Sequence, residues 1–476
     1  MVYLCGMNYS AFIARRVAFS DANSFSALII RIATAAVALS VAIMICATAL
    51  VQGFKQTISD KIFGFWGHIH ITNYDANNSL ETVPIDVRQS FYPSLDTLGA
   101  IYYTKKIEFL GYELTQRDAK TSGGIRHIQL YANKAGIIKT NNQLEGIVLR
   151  GVGADFDWAF MKKYLIKGDT LALKNWQFIP KYLANKEQKE EKDTISTIRD
   201  TRFIDSTALK AQADTGISNE IIVSESTCRR LKIDLNDKFT VHFVDGETQR
   251  VRKFTVKGVY RTGLEEYDKK FALVDVRQVQ DLNGWLPNQI SGFEIFLDDI
   301  DDLDPFGEYI YYQKTSSDLF SQTIKELYPN IFSWLDLQDI NEQFILLLML
   351  LVSVINMTTA LMILILERTN MIGTLKALGS SNWDVQRIFL YYATIIIGRG
   401  LLWGNLIGIG LCLIQKYAQV ITLDEEAYYV SVAPISLDFT VIALLNAATL
   451  LITLLVLLIP SLLVARISPV KAIQFK

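Results

Sequence analysis

No Gly-Lys dipeptide occurs anywhere in the 476 residues, so the phosphate-cradling loop of an ATP-hydrolysing domain is absent. H-E-x-x-H and G-x-S-x-G are missing as well, which removes the common zinc-protease and serine-hydrolase signatures. Cysteine is sparse: Cys5, Cys46, Cys228 and Cys412 are scattered, with no C-x-x-C spacing. That excludes a disulfide framework and a cysteine metal knot. The formal net charge of −2 and the lack of long Lys/Arg blocks give no footprint for nucleic acid. Any energy the protein uses has to come from a partner or a gradient.

Apolar residues are abundant, at 50% of the chain. Such a composition fits a few membrane helices joined to a soluble domain. Four runs reach the span length of about 20 apolar residues: 27–51, 339–366, 390–415 and 439–464. Segments 1–26, 367–389 and 465–476 then lie on one side, and 52–338 and 416–438 on the other. Arg15, Arg16, Arg31, Arg368, Lys376, Arg387, Arg466, Lys471 and Lys476 all cluster on the first side, which predicts that it is cytoplasmic. A cleaved signal peptide is the competing reading of the first run, because Ala47-Thr48-Ala49 resembles a cleavage site. The long preceding segment and the length of the run favour a span.

The predicted fold class is an α-helical membrane protein with four transmembrane helices and a large α/β periplasmic domain between the first and second spans. In that domain HIHITNY, KFTVHFV and RKFTVKGVY read as strands, and SESTCRRLKI and VRQVQDLNGWL as short amphipathic helices. The charge-rich segment 181–200 reads as a solvated linker or exposed helix between two lobes. His68 and His70 share a strand face, as metal ligands can, but no third ligand is evident; two polar positions on a half-exposed strand is the plainer reading.

ERTNMIGTLKALGSSNWDVQRIF, residues 367–389, is the short loop between the second and third spans. Ile372, Leu375 and Leu378 recur at helical spacing. Gly379 suits a helix-closing left-handed position, and Ser381 with Asp384 suits a capping box for a second helix. Helix, tight corner, helix is the expected product, either a rigid elbow that transmits force or a plain connector. With the hydrocarbon crossing of the third span taken from about Ile395 to Ile414, Arg399 stands about one turn inside it, where it can snorkel to the interface, join a buried pair or meet a lipid phosphate. Gly400, Gly404 and Gly408 form a smooth stripe for close helix packing, and Asn356 and Asn446 are candidates for hydrogen bonds between helices.

The pattern Glu367, Ile372, Gly373, Leu375, Lys376, Ala377, Leu378, Gly379 resembles the cytoplasmic coupling segment of the FtsX-like permeases. The ending PSLLVARISPVKAI is similar to that family's tail. FIARR, VQGFKQTISDKIFGFWGHIHI, VLRGVGADFDW, NEIIVSESTCRRLKIDLNDKFTV and KGVYRTGLEEYDKKFALVDVRQVQDL narrow the likeness to the lipoprotein-releasing (LolC/LolE) branch. The resemblance implies a permease subunit in the bacterial inner membrane. It implies a cytoplasmic ABC ATPase dimer contacting Glu367, Arg368, Ile372, Gly373, Leu375, Lys376, Ala377, Leu378 and Gly379, and a second permease subunit, the same or related. It also implies a triacylated lipoprotein substrate and a periplasmic lipoprotein carrier, with ATP and Mg on the ATPase and no cofactor on this chain. Gly53 and Phe54 match the family's N-G-F turn, with Gln52 in place of Asn, and join Arg399 on the implied lipid path. The long carrier-binding loop of the family has no counterpart in VHFVDGETQRVRKFTV, where a tight hairpin near Asp245-Gly246-Glu247 is expected. An exporter permease for other cargo and a relay that activates a cell-wall hydrolase are the alternatives.

Overall fold

The computed structural model describes residues 25–75, 82–92, 94–109, 112–139, 144–173, 217–245, 248–462 and 464. The 181–200 segment lies outside them. The chain divides into two units: a helical unit of residues 1–57, 330–423 and 430–476, and a sheet unit of residues 58–329 and 424–429.

Among the described residues five helices frame the helical unit: α1 (Phe25–Trp66, whose residues 58–66 belong to the sheet unit), α2 (Pro329–Glu367, in the helical unit from residue 330), α3 (Thr369–Ala377), α4 (Asn382–Ala418) and α5 (Phe439–Ser461). All but α3 are long and apolar enough to cross a membrane. The apolar runs sit inside longer helices, because nothing breaks the pattern beyond them. α1 has 42 residues and continues past Val51 through the polar stretch to Trp66. It stops only where Gly67 takes φ +78. Pro329 opens α2 at a first-turn position, where its missing N–H is no loss. Asp438 accepts from Thr440 N at 2.7 Å and starts α5.

In lipid the apolar effect does not draw helices together, so shape has to. α4 supplies it with glycine. A Cβ at Gly400 would lie 2.6 Å from Val37, one at Gly404 2.8 Å from the Ala38 carbonyl oxygen, and one at Gly408 3.1 Å from Ala42 Cα. The two backbones touch along three successive turns. Asn405 and Asn446 exchange side-chain amide hydrogen bonds of 2.8 and 2.9 Å between α4 and α5. Asn446 thus finds the partner its sequence position called for, in a residue the sequence reading had not named. In the last turn of α4, Gln415 holds the loop that follows: its Oε1 accepts from Ile421 N at 2.9 Å and its Nε2 donates to the Ala433 carbonyl at 3.2 Å.

Among the described residues the sheet unit has fourteen strands: β1 (Ile69–Asn73), β2 (Ile85–Asp86), β3 (Tyr102–Phe109), β4 (Tyr112–Lys120), β5 (Ile125–Lys139), β6 (Leu144–Val152), β7 (Leu165–Gly168), β8 (Glu220–Ser224), β9 (Lys238–Asp245), β10 (Thr248–Tyr260), β11 (Phe271–Asp275), β12 (Gln289–Ile290), β13 (Gly292–Leu297) and β14 (Leu319–Thr323). Ten of them form one mixed sheet in the order β14-β1-β13-β5-β6-β11-β8-β10-β7, with β9 paired to β10 and β5. β3 and β4 form a separate ribbon. Every residue of β11 and β13 is buried, the pattern of central strands covered on both faces. The expected short helices appear at Glu225–Leu231, capped by Ser224, and Val276–Asn283, capped by Asp275 and closed by Gly284 at φ +69. Their apolar faces, with Cys228, Leu231, Val276, Val279 and Leu282, close the core over the sheet.

His68 and His70 are both buried rather than half-exposed. His68 Nδ1 accepts from Leu297 N at 3.2 Å and its ring stacks on Phe63 at 4.6 Å. Burial pushes both imidazoles down to about 3, so they are neutral packing groups. No group of three metal-ligating side chains occurs among the described residues.

Residues 424–429, from the loop between α4 and α5, belong to the sheet unit. Arg261 reaches Glu425 and, at 3.3 Å, Glu225, while Lys61 Nζ donates to the Tyr429 carbonyl at 2.8 Å. Asp268 is nearby in charge terms and nearly fully buried. It accepts from Thr262 Oγ1 at 2.6 Å, Thr262 N at 3.1 Å and Gly263 N at 3.2 Å.

Two outcomes follow from this packing. Gly404→Leu should overpack the α1–α4 contact at a cost of about 1–3 kcal/mol or more, read as a lower melting temperature of the detergent-solubilised chain. Burial pushes the Asp268 carboxyl from 3.8 up to about 6. The folded state then holds its proton more tightly than the unfolded chain. The associated stability is fully present below pH 3.8 and is lost as pH rises through about 6. Urea midpoints at pH 4 and 6.5 should show Asp268→Asn gaining on the native chain at the higher pH, by on the order of 2 kcal/mol.

Candidate coupling corner and sheet anchor

Residues 367–389 fold as the spacing predicts, and the details show which side chains are free to meet a partner. α3 buries Ile372, Gly373 and Leu375. Ile372 and Leu375 pack with Val385, Ile388, Phe389 and Tyr392 of α4. Lys376 Nζ donates to the Val464 carbonyl at 2.6 Å, satisfying an acceptor just beyond α5. The end of α3 is a Schellman closure. Ser380 N donates to the Leu375 carbonyl and Gly379 N to the Lys376 carbonyl, each at 3.0 Å. Gly379 takes φ +95 with no atom near its missing Cβ, so glycine is required by backbone conformation and not by space. Ser381 and Asp384 then form the expected capping box: Asp384 N donates to Ser381 Oγ at 3.1 Å, and Ser381 N to Asp384 Oδ2 at 3.4 Å.

The corner between these two closures is short and defined on both sides. It exposes Ala377, Leu378 and Gly379, with Leu378 79% exposed. Trp383 is 49% exposed beside it and lies under the Arg387 guanidinium at 5.2 Å. A solvent-facing leucine and tryptophan on a rigid turn are what a protein groove can grip. Trp383 and Arg387 were not among the residues singled out by motif, although a tryptophan in a polar loop is itself a signal. Glu367 is exposed, and Arg368 is half-buried.

The remaining expected residues separate from the corner. Gly53 is buried, and a Cβ there would sit 2.3 Å from the Pro434 carbonyl oxygen. Ser436 N donates to the Ala49 carbonyl at 3.0 Å, in the same close contact between α1 and the segment before α5. Gly53 is therefore a packing position. Phe54 and Arg399 are half-buried, and Gly400, Gly404 and Gly408 face α1.

In the sheet unit the densest electrostatics surround Arg150 on β6, 1% exposed. Its guanidinium pairs with Glu294 on β13 and donates to the Phe65 carbonyl at 2.7 Å, in the last turn of α1. It lies 5.0 Å from the Phe65 ring and 4.8 Å from the Trp66 ring. Gln129 Nε2 donates to the same Glu294 oxygen at 2.8 Å. Register explains the cluster: Glu294 stands opposite Gln129 on one neighbour and His70 on the other. Burial pushes the Glu294 carboxyl up, against the pull of Arg150. One carboxylate, one carbonyl and two aromatic faces thus hold a charge that water does not reach.

Residues 343–469 match the model of the FtsX-like permease C-terminal domain. That stretch is similar to an FtsX-like permease domain. That match contains α3, the corner, α4 and α5, and so every residue of the coupling segment. Over 273 residues the chain is 23% identical to the lipoprotein-releasing system transmembrane protein LolC of Xylella fastidiosa strain 9a5c, covering 54% of this chain and 65% of that protein. It is 25% identical over 221 residues to the LolE protein of Haemophilus influenzae, covering 44% of this chain and 52% of that one. The chain thus aligns with just under two thirds of the length of the relative first named. Among solved structures it is similar to the extracellular domain of the noncanonic ABC-type transporter YknZ from Gram-positive bacteria. There the identity is 12%, coverage is 53% of this chain and 98% of that one, and the TM-score is 0.28.

Removing one member of a buried ion pair strands the other. Arg150→Met should therefore destabilise the protein by about 3–5 kcal/mol, seen as a lower urea midpoint of the tryptophan fluorescence transition. The double variant Arg150→Met/Glu294→Leu should regain a large part of that loss, because no charge is then left buried.

Proposed function

We propose that this chain is the permease subunit of an ABC transporter that releases lipoproteins from the bacterial inner membrane, driven by a separate ATPase in the cytoplasm. The observation that supports the reading most is the corner at residues 377–383. It is an exposed apolar tip, locked by a Schellman closure on one side and a capping box on the other, inside an FtsX-like domain. Such a tip is stiff enough to take a push from a moving partner and short enough to pass it into α4. The likeness to LolC and LolE proteins supports lipoprotein as the cargo.

The energetics require an external source of work. Each acyl CH₂ brought into water costs about 0.8 kcal/mol, so a triacylated substrate does not leave the bilayer unaided. In this reading an ATPase dimer grips Leu378 and Trp383 of this subunit and the matching corner of a second permease subunit. Closure on ATP moves α4 and its neighbours, and the large domain on the far side of the membrane hands the lipoprotein to a soluble carrier. Glu367 and Arg368 flank the grip, and Arg399 with Phe54 borders the path of the acyl chains.

One observation bears on which kind of subunit this is. Asp245 pairs directly with Thr248, so β9 and β10 are joined through residues 246 and 247 alone. A long projecting loop has no room there. This supports a partner-type subunit whose sister chain recruits the carrier. The relay that activates a cell-wall hydrolase remains the reading to beat, since it uses the same corner.

Depletion of the protein should leave outer-membrane lipoproteins stranded in the inner membrane; unchanged sorting would refute lipoprotein release. Single cysteines at Leu378 and Trp383 should cross-link to a nucleotide-hydrolysing protein. Gly379→Val forces a β-branched residue into the left-handed region at about 1–2 kcal/mol. It should lower substrate release per ATP hydrolysed, as should Glu367→Lys, while the assembled complex keeps hydrolysing ATP.

A further inference from the structure

We propose that Cys46 and Cys412 are a redox-active thiol pair that closes into an intramolecular disulfide between α1 and α4. The case rests on the helix contact, independently of the transport reading. Gly400 meets Thr34 and Val37, Gly404 meets Ala38 and Val41, and Gly408 meets Ala42 and Ile45. Each step of four residues on α4 is matched by a step of four on α1, so the two helices run parallel and in register at these rungs. One more step of four on each helix brings Cys412 opposite Cys46, and there the two Sγ atoms lie 3.9 Å apart.

The backbone spacing at that rung is set by glycine. Gly408, one turn before Cys412, is so close to α1 that a Cβ would be 3.1 Å from Ala42 Cα. Cys46 Sγ is also 3.7 Å from the Gly408 carbonyl oxygen. Close approach of this kind is what a disulfide needs, since it joins residues whose Cα atoms are about 4.4–6.8 Å apart. Closing the remaining gap to a bond of about 2.05 Å takes side-chain rotation and a small helix adjustment. Among the described cysteines Cys228 has no such neighbour: it is buried in the sheet core.

The reaction balances with an acceptor of two electrons. Both S–H bonds break and one S–S bond forms. The two protons and two electrons pass to a lipid-soluble oxidant of the quinone class, which becomes the hydroquinone. Lipid solubility matters because Cys46 stands five residues before Val51, about 7.5 Å along the helix from the end of the apolar run. Cys46 is partly exposed, which admits such an oxidant. The product ties α1 to α4 covalently and prevents the two from sliding past each other.

The test uses the full-length chain in native membranes, with diamide as a permeant two-electron oxidant. After treatment the protein is unfolded in detergent, tagged with a polymer maleimide and run without reductant. The untreated chain should take tags on all four cysteines. The oxidised chain should take two fewer, remain monomeric and regain both on reduction. Peptide mass spectrometry should find the segments containing Cys46 and Cys412 joined, two hydrogens lighter than their sum. Cys46→Ser and Cys412→Ser should each abolish this protection. The proposal falls if diamide leaves all four sites reactive, if the cross-link is between chains, or if the two-tag loss persists in either serine variant.

Discussion

Arg150 carries a charge into a place without water, and the sheet unit is organised around meeting that demand. A guanidinium presents its donors in a rigid plane, so its partners must arrive from fixed directions. Glu294 comes from β13, the Phe65 carbonyl from the last turn of α1, and the Phe65 and Trp66 rings supply the faces. The helix end gains as much as the arginine does. Its last carbonyls lack helical donors, and a cation there also suits the helix dipole. Apolar residues in place of both Arg150 and Glu294 could fill the volume without stranding a charge, but they could not hold the end of α1 in one orientation. Buried ion pairs are poor sources of net stability; what this one supplies is a fixed angle between helix end and sheet.

The helical unit meets the opposite problem. Its helices are surrounded by apolar side chains whichever way they turn, so hydrophobicity cannot choose among arrangements. Choice falls to features that are specific in shape or in hydrogen bonding. The glycines of α4 let its backbone reach α1, and the paired amides of Asn405 and Asn446 tie α4 to α5. α4 is therefore held on two sides by contacts that tolerate little sliding. A displacement applied at its N-terminus is shared with both neighbours.

Much of this was written openly in the chain. The four apolar runs, the Gly379 closure and the Ser381–Asp384 box are local signals, readable because each depends on residues within a turn or two of one another. The β9 and β10 strands and the helices at Glu225–Leu231 and Val276–Asn283 were legible for the same reason. What stayed hidden depends on partners distant in sequence. Nothing around Arg150 announces that Glu294, 144 residues on, will meet it. The approach of Pro434 to Gly53 is likewise visible only once α1 and the loop before α5 are placed together. The histidines at 68 and 70 misled through alternation: on an edge strand that pattern means half-exposure, but β1 lies between β13 and β14 and both side chains are covered. The length of α1 was hidden in another way, since polar residues end an apolar run without ending a helix.

For the proposed function, these two kinds of fixity matter in different ways. Work delivered at the corner is useful only if it is not absorbed by bending on the way. A helix is stiff along its axis, but its junctions are where motion is lost. The corner removes slack at the point of entry by satisfying the backbone groups that end α3 and begin α4, leaving few unconstrained torsions between residues 377 and 382. The glycine contact removes slack between α4 and α1, because two touching backbones cannot approach further. The arginine cluster removes slack where α1 ends on the sheet, because its donors lose hydrogen bonds if the helix end rotates. No one of these contacts is unusual in strength. Their common property is that each resists displacement in a specific direction, and that property, more than stability, is what a chain that passes on mechanical work would need from its side chains.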